Sequence, residues 1–237
     1  MSKLNVVLDM DEMLVHAYKV ESLHLETNQK GVLVNLRPPK KAVIKQYGET
    51  SSSKGQIYEV IVHFVKRPGL DEFLEQLVDL DVNVNIWTNS EKLYADAILN
   101  AILPEAFKGN RRYYRGECKV AKKAGGREVF YKDLRKYWGD EMDRTVIFDD
   151  NPNNFLVTPQ NGYQAVRWEG NLAHEPSDYM SGIIEIIKEL KDSGNVALAA
   201  AKLQEDFEDL GLNETIETPK VSMMGSFSGM AKSMFFK

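Results

Sequence analysis

Two acidic pairs dominate the chemistry this chain can offer. Asp9 and Asp11 lie one residue apart in NVVLDMDEMLVH, residues 5–16, and Asp149 and Asp150 are adjacent in RTVIFDDNPNNF, residues 144–155. Each pair follows a short apolar run that reads as a buried strand. Side chains on a strand alternate faces, so Asp9 and Asp11 are expected to point at one spot. Like charges that close need a bound cation, a shared proton or a reacting phosphate. A third strand-like run ends in Thr88, within IWTNS, and Lys132 heads a short helix candidate, YKDLRKYWG.

These residue types suit phosphoryl transfer. One carboxylate can attack phosphorus, and a second can protonate the leaving alkoxide and then deprotonate water. A hydroxyl and a lysine can hold the phosphate oxygens on which charge accumulates. Mg²⁺ takes oxygen ligands from one or two carboxylates together with phosphate and water, and the second acidic pair supplies the remainder of such a site.

The elements that must position these groups alternate between strand and helix, which argues for an α/β fold with a mostly parallel sheet. In such sheets ligands bind beyond the C-terminal ends of the strands. Residues 17–66 break the alternation with GVLVNL, KAVIKQY and IYEVIVHFV, separated by turn-like stretches, and read as an antiparallel β-rich insert. Leu70, Phe73, Leu74, Leu77 and Val78 follow the spacing of one helical face, with Pro68 just ahead of it. VNVNIWTNS is a weak fit to a doubly buried strand because of Asn83 and Asn85. Ser90 is a candidate cap for the following helix, whose apolar face is read as Leu93, Ala97, Ile98, Ala101 and Ile102. Residues 108–128 read as a basic loop, GYQAVRW as a further strand, and residues 177–193 as a helix stopped by Gly194. VALAAAKLQEDFEDLG suggests another helix before a polar, Met-rich end. The expected division is a catalytic unit over 1–192 and a helix with a flexible tail over 193–237.

Composition narrows the classes. The 237 residues include 43% hydrophobic ones, enough for a sizeable core, and a formal net charge of −5 gives no global case for nucleic-acid binding. Cys118 is the lone cysteine, which excludes an internal disulfide and a Cys-rich zinc site; it reads as structural, as does His16. The chain shows no basic-then-apolar leader, and no apolar run reaches the about 18 residues of a spanning helix. Nucleus and cytoplasm are both open.

The sequence resembles the haloacid dehalogenase superfamily, and within it the small C-terminal-domain phosphatases of RNA polymerase II. The resemblance covers roughly residues 4–190 and rests on VVLDMDEMLVH, VKRPGLDEFLEQL, IWTNSEKLYADAIL, YYRGEC, YKDL and VIFDDNPNNF, in that family's order. It implies a Rossmann-like fold without a helical cap, and a Mg²⁺-dependent phosphoserine/phosphothreonine phosphatase working through an aspartyl-phosphate. Asp9 would be the nucleophile and Asp11 the general acid/base. Thr88, Asn89, Lys132 and Arg115 would line the phosphate. The metal would be held by Asp9, the Asp11 backbone carbonyl and Asp150, with Asp149 beside it. The sequence departs from the family's pattern at Met13, where threonine is usual, at Asn89, where alanine is usual, and in a longer loop between Arg115 and Lys132.

A phosphorylated protein or peptide is the implied partner, with RNA polymerase II tail repeats as the family's usual target. A binding module related to a mitochondrial translocase subunit is one alternative, and a polynucleotide or small-molecule phosphatase is another, suited by the basic stretch RRYYRGECKVAKK. In the tail, residues 223–237, Phe227, Met230, Ala231, Met234 and Phe235 match one helical face that would suit a partner's groove or a membrane surface, with a disordered end as the rival reading.

Overall fold

The structure, a computed structural model, describes residues 2–25, 40–47, 57–123, 126–170 and 178–197. A five-stranded sheet organises it. Its strands are β1 (Asn5–Leu8), β5 (Asn83–Trp87), β6 (Arg112–Tyr113), β9 (Thr145–Asp149) and β10 (Gly162–Gln164). They run in the order β10-β9-β1-β5-β6 with every pairing parallel. The first strand of the chain is therefore the central one.

Alternation along these strands explains why both faces are covered. Val6 and Leu8 of β1, Val84 and Ile86 of β5, and Val146 and Phe148 of β9 join one buried cluster. The helices α1 (Leu70–Asp79), α2 (Lys92–Ile102) and α4 (Tyr179–Ser193) close that face. Val7, Trp87 and Ile147 point the other way, into a second cluster with Leu134, Trp138 and Phe155. The short helix α3 (Arg135–Trp138) belongs to that second layer. Leucines such as Leu74 and Leu77, at 1% and 0% exposure, each contribute about 1.5–3 kcal/mol of transfer free energy.

The insert is the expected antiparallel sheet: β2 (Val15–Leu25), β3 (Lys40–Tyr47) and β4 (Ile57–Lys66), in the order β2-β4-β3. Within the described residues no helical cap is inserted after Thr88, and β5 leads directly through a short loop to α2. GVLVNL, the helix expected beyond residue 197, and the tail 223–237 with its apolar face lie outside the described residues.

Several local expectations change. Residues 108–128 are not simply loop: β7 (Lys119–Lys122) and β8 (Glu128–Tyr131) form an antiparallel hairpin. Val78 is 42% exposed rather than buried with the rest of its helix. The buried face of α2 is Ala95, Ile98, Leu99 and Ile102, while Leu93 and Ala101 face solvent. The asparagines of β5 find partners at the N-terminal edge of the sheet. Asn83 donates from Nδ2 to Asn5 Oδ1 at 3.1 Å, and Asn5 donates to Glu141 Oε2 at 3.0 Å. Asn85 donates to the Asn83 carbonyl at 3.2 Å. A parallel strand tolerates polar residues where their hydrogen bonds are met in this way. Gly194 ends α4 in the left-handed region, φ 73°, as its place at the helix terminus leads one to expect.

Candidate active site

The site lies beyond the C-terminal ends of β1, β5 and β9. β1 stops at Leu8, and Asp9 follows, its N–H donating to the Phe148 carbonyl at 3.0 Å. That bond fixes Asp9 beside the end of β9, where Asp149 and Asp150 emerge. Oxygens of Asp9, Asp149 and Asp150 lie within 4.8 Å of one another. Lys132, fully buried, reaches between two of them, with Nζ 2.7 Å from Asp9 Oδ1 and 2.5 Å from Asp149 Oδ2. The loop after β9 completes the holding of Asp149: Asn154 Nδ2 donates to its two oxygens at 2.7 and 2.9 Å, and the Asn151 N–H donates to Oδ1 at 2.9 Å. Asp150 instead faces Arg167, whose Nη1 is 2.8 Å from Oδ2.

Burial and mutual repulsion act together on these acids. Burial, then the charge of Asp149, holds the Asp9 carboxyl well above the usual carboxylate range. The same causes, in the same order, push Asp150 up to about 6. Burial alone would lower the pKa of Lys132, but Asp149 and Asp9 outweigh it and hold the ammonium charged above its ordinary range. Three carboxylates against one buried lysine and one half-exposed arginine leave the cluster short of positive charge. An all-oxygen, acid-rich donor set of this kind fits a hard divalent cation such as Mg²⁺.

Asp11 is arranged differently. The alternation expected of Asp9 and Asp11 does not apply, because the strand has already ended and Asp11 lies in the turn that leads to β2. Its carboxylate accepts from Ser90 Oγ at 2.6 Å and Tyr94 OH at 2.9 Å, with Thr88 Oγ1 at 3.4 Å. Asp11 thus stands outside the three-carboxylate group, and any share it has in a metal site is left to its main chain. Burial raises its pKa, and the donors from Ser90, Tyr94 and Thr88 pull the other way. A buried carboxyl whose pKa is raised, yet which is held by three hydroxyl donors, is suited to giving and taking a proton.

Of the expected phosphate-lining residues, Thr88 and Lys132 reach this centre, both almost fully buried. Thr88 does not cap a helix; its Oγ1 accepts from the Ser90 N–H at 3.0 Å and so shapes the loop. Asn89 turns aside, donating to Asn154 Oδ1 at 2.8 Å, and so ties the β5 loop to the β9 loop. Arg115 donates from Nε to the Asn89 carbonyl at 2.6 Å and pairs with Glu91 at 3.4 Å, which places it behind the same loop. Cys118 is a packed thiol near Asn89 Oδ1, and burial pushes its pKa up to about 11. His16 packs edge-on to Trp168 and pairs with Glu12 at 3.0 Å. Met13 is fully buried, so the place of the usual threonine is filled by core packing.

Residues not anticipated from the sequence are Ser90 and Tyr94 on Asp11, Asn154 on Asp149 and Arg167 on Asp150. Ser90 was expected as a helix cap, yet α2 is preceded by Glu91 and the Ser90 hydroxyl serves Asp11. Asn154 sits in VIFDDNPNNF, five residues after Asp149, within reach for a loop that turns back at Pro152.

A mouse carboxy-terminal domain RNA polymerase II polypeptide A small phosphatase 2 is 24% identical over 85% of this chain and 63% of its own length. The budding yeast nuclear envelope morphology protein 1 is 27% identical over 70% of this chain and 35% of that protein. The chain thus spans between about a third and just under two thirds of these relatives. A solved structure of a fission yeast RNA polymerase II CTD phosphatase bound to beryllium fluoride aligns with 88% of this chain and 56% of that one, at 17% identity and a TM-score of 0.44. The model of the NLI interacting factor-like phosphatase family matches residues 4–197, and the chain belongs to that family.

Proposed function

We propose that the chain is a Mg²⁺-dependent phosphoserine/phosphothreonine phosphatase that works through an aspartyl-phosphate on Asp9. The observation that carries this reading is the Asp9–Lys132–Asp149 arrangement, with Asp150 beside it and Asp11 held apart on its own donors. An oxygen of Asp9 attacks phosphorus and the bond to the serine or threonine oxygen breaks. Asp11, protonated, gives its proton to that leaving oxygen. Asp11, now a carboxylate, takes a proton from water, whose oxygen attacks phosphorus, and the Asp9–phosphorus linkage breaks to release inorganic phosphate. Lys132 and Thr88 hold the non-bridging oxygens through both steps. Asp9, Asp150 and the Asp11 main chain would hold the Mg²⁺, which supplies positive charge to the phosphate and offsets the crowded carboxylates.

The unit doing this spans about 1–192, with the insert 17–66 flanking the substrate. A cleft bordered by a β-sheet rather than a helical cap suits a flexible phosphorylated segment. The name of the small-phosphatase relative supports RNA polymerase II tail-like peptides, and that of the nuclear envelope morphology protein supports a place at the nucleus. No helix among the described residues is long and apolar enough to cross a membrane. The test is hydrolysis of an aryl phosphate with Mg²⁺ and with chelator, by the natural protein and by Asp9→Asn. Metal-dependent turnover that the substitution abolishes is expected. A well-folded protein silent on aryl phosphate and phosphopeptides alike would overturn the reading in favour of a binding module.

A further inference from the structure

The hairpin β7–β8 presents an outer face that nothing in the proposed chemistry uses. Its inner face is accounted for: Ala121, Val129 and Tyr131 are buried against Leu156. On the outer face Val120 and Phe130 are directly opposite each other across the strands. They are 48% and 37% exposed, although a polar pair would do at such positions. Next along the same face come Lys122 and Glu128, a pair at 3.9 Å. Arg115 stands at the edge of the apolar pair, its guanidinium carbon 5.8 Å from the centre of the Phe130 ring.

Two features connect this face with the active centre. β8 runs straight into Lys132, so Phe130 lies about 7 Å along the chain from the lysine that holds Asp9. Arg115 also bonds the Asn89 carbonyl, in the loop that carries Thr88. The surroundings are strongly basic. Residues 111–136 contain ten Lys and Arg against three Asp and Glu, in a chain whose formal charge is −5. Lys119 and Arg135 already share Asp133, at 2.8 Å each, and Lys122 pairs with Glu128, but Arg127 beside the hairpin turn is exposed and makes no ion pair among the described residues.

We infer that the outer face of the β7–β8 hairpin, Val120 and Phe130 within their basic rim, is a docking surface for an acidic segment with a bulky apolar residue, flanking the phosphorylated residue of a protein substrate. The inference rests on the phosphatase reading above. Its charge complementarity selects the occupant: an acidic segment is steered by the rim, and its apolar residue covers the pair that water now touches. Each residue of extended chain spans about 3.3–3.6 Å, so a flank within roughly four residues of the phosphate reaches the hairpin.

The test compares two fluorescent phosphoserine peptides, one with Glu-Glu-Leu in that flank and one with Gly-Ser-Gly. Steady-state kinetics and anisotropy are measured for the natural protein, Val120→Ser and Phe130→Ser, with aryl phosphate turnover as control. The natural protein is expected to show about tenfold lower KM for the acidic peptide, an advantage that shrinks as salt rises. Either substitution should remove most of that advantage, with kcat, aryl phosphate turnover and the Gly-Ser-Gly peptide unchanged. Equal KM for the two peptides, or variants that lower Tm without touching the preference, would show the pair to be only a cross-strand contact of the hairpin. If no substrate is turned over, the phosphatase reading fails by itself, and anisotropy of the same peptides still decides the docking surface.

Discussion

Replacing Lys132 by methionine isolates the central electrostatic argument. The side chain has no solvent exposure and makes close ion pairs with Asp9 and Asp149, at 2.7 and 2.5 Å. Methionine keeps most of the volume and removes the charge, so two buried carboxylates lose their counter-ion. Breaking a buried pair from one side costs about 3–5 kcal/mol. For a folded unit of this size each kcal/mol lowers Tm by about 2–4 °C, which predicts a fall of roughly 6–20 °C at pH 7.5. The loss must depend on pH. In the variant Asp9, which burial already holds high and Lys132 no longer pulls down, titrates above its unfolded-state value, so the folded state binds a proton the unfolded state has released. Stability is then greatest below the unfolded carboxylate pKa of about 3.9 and declines as pH rises toward the folded one. Lys132→Met should therefore be distinctly less impaired at pH 5.5 than at pH 7.5. Saturating Mg²⁺ should restore part of the loss at pH 7.5, about 2.7 kcal/mol at a hundredfold excess over its Kd. Thermal denaturation followed by circular dichroism reads all of this. An unchanged Tm at pH 7.5, or an equal fall at both pH values, would refute the claim that Lys132 balances the cluster.

Two further outcomes follow from single contacts. Ser90→Ala removes the 2.6 Å donor that favours ionised Asp11, so the pKa of Asp11 rises further; the limb of the pH–kcat profile that reports this acid should move to higher pH, and Tyr94→Phe should move it the same way. Arg167→Ala removes the cation that now pairs with Asp150 at 2.8 Å; because that arginine is half exposed the pair is worth at most about 1 kcal/mol, and calorimetry should find Mg²⁺ bound up to about fivefold more tightly, whereas weaker binding would mean that Arg167 orients Asp150 instead of competing for it.

How much of this was legible in the sequence depended on the range of the interactions involved. The strands β1 and β9 announce themselves by unbroken apolar runs, and the acidic pairs at their ends are unmistakable because carboxylates there have no local partner. The same holds for α1, whose spacing places Leu70, Phe73, Leu74 and Leu77 inward. What could not be read was set by contacts from far along the chain. Ser90 looks like a helix cap because its neighbourhood permits one, and only Asp11, 79 residues away, claims its hydroxyl instead. The burial of α2 is rotated from its apolar spacing because the face that counts is chosen by the sheet and by Tyr94 reaching toward Asp11. Asn83 conflicts with a buried strand until it proves exposed at the strand's start with Asn5 beside it, and Asn85 is met locally by the Asn83 carbonyl. The β7–β8 hairpin was hidden by its lysines: each strand has four residues, and its inward side offers little more than Ala121, Val129 and Tyr131.

The position of β1 at the centre of the sheet has a consequence for how the protein is made. It leaves the ribosome before both of its neighbours, β5 and β9. Asn5 pairs in register with Thr145, 140 residues later. At about 5–20 residues per second, Val6, Val7 and Leu8 wait roughly 7–28 s for their second flanking strand to be synthesised. For most of that interval the nucleophile candidate Asp9 has neither Lys132 nor Asp149 beside it, and an apolar strand has at least one edge open. Nascent chains halted before residue 145 should accordingly be bound by chaperones and cut readily by proteases, and the active centre should appear only once β9 and the loop after it have been made.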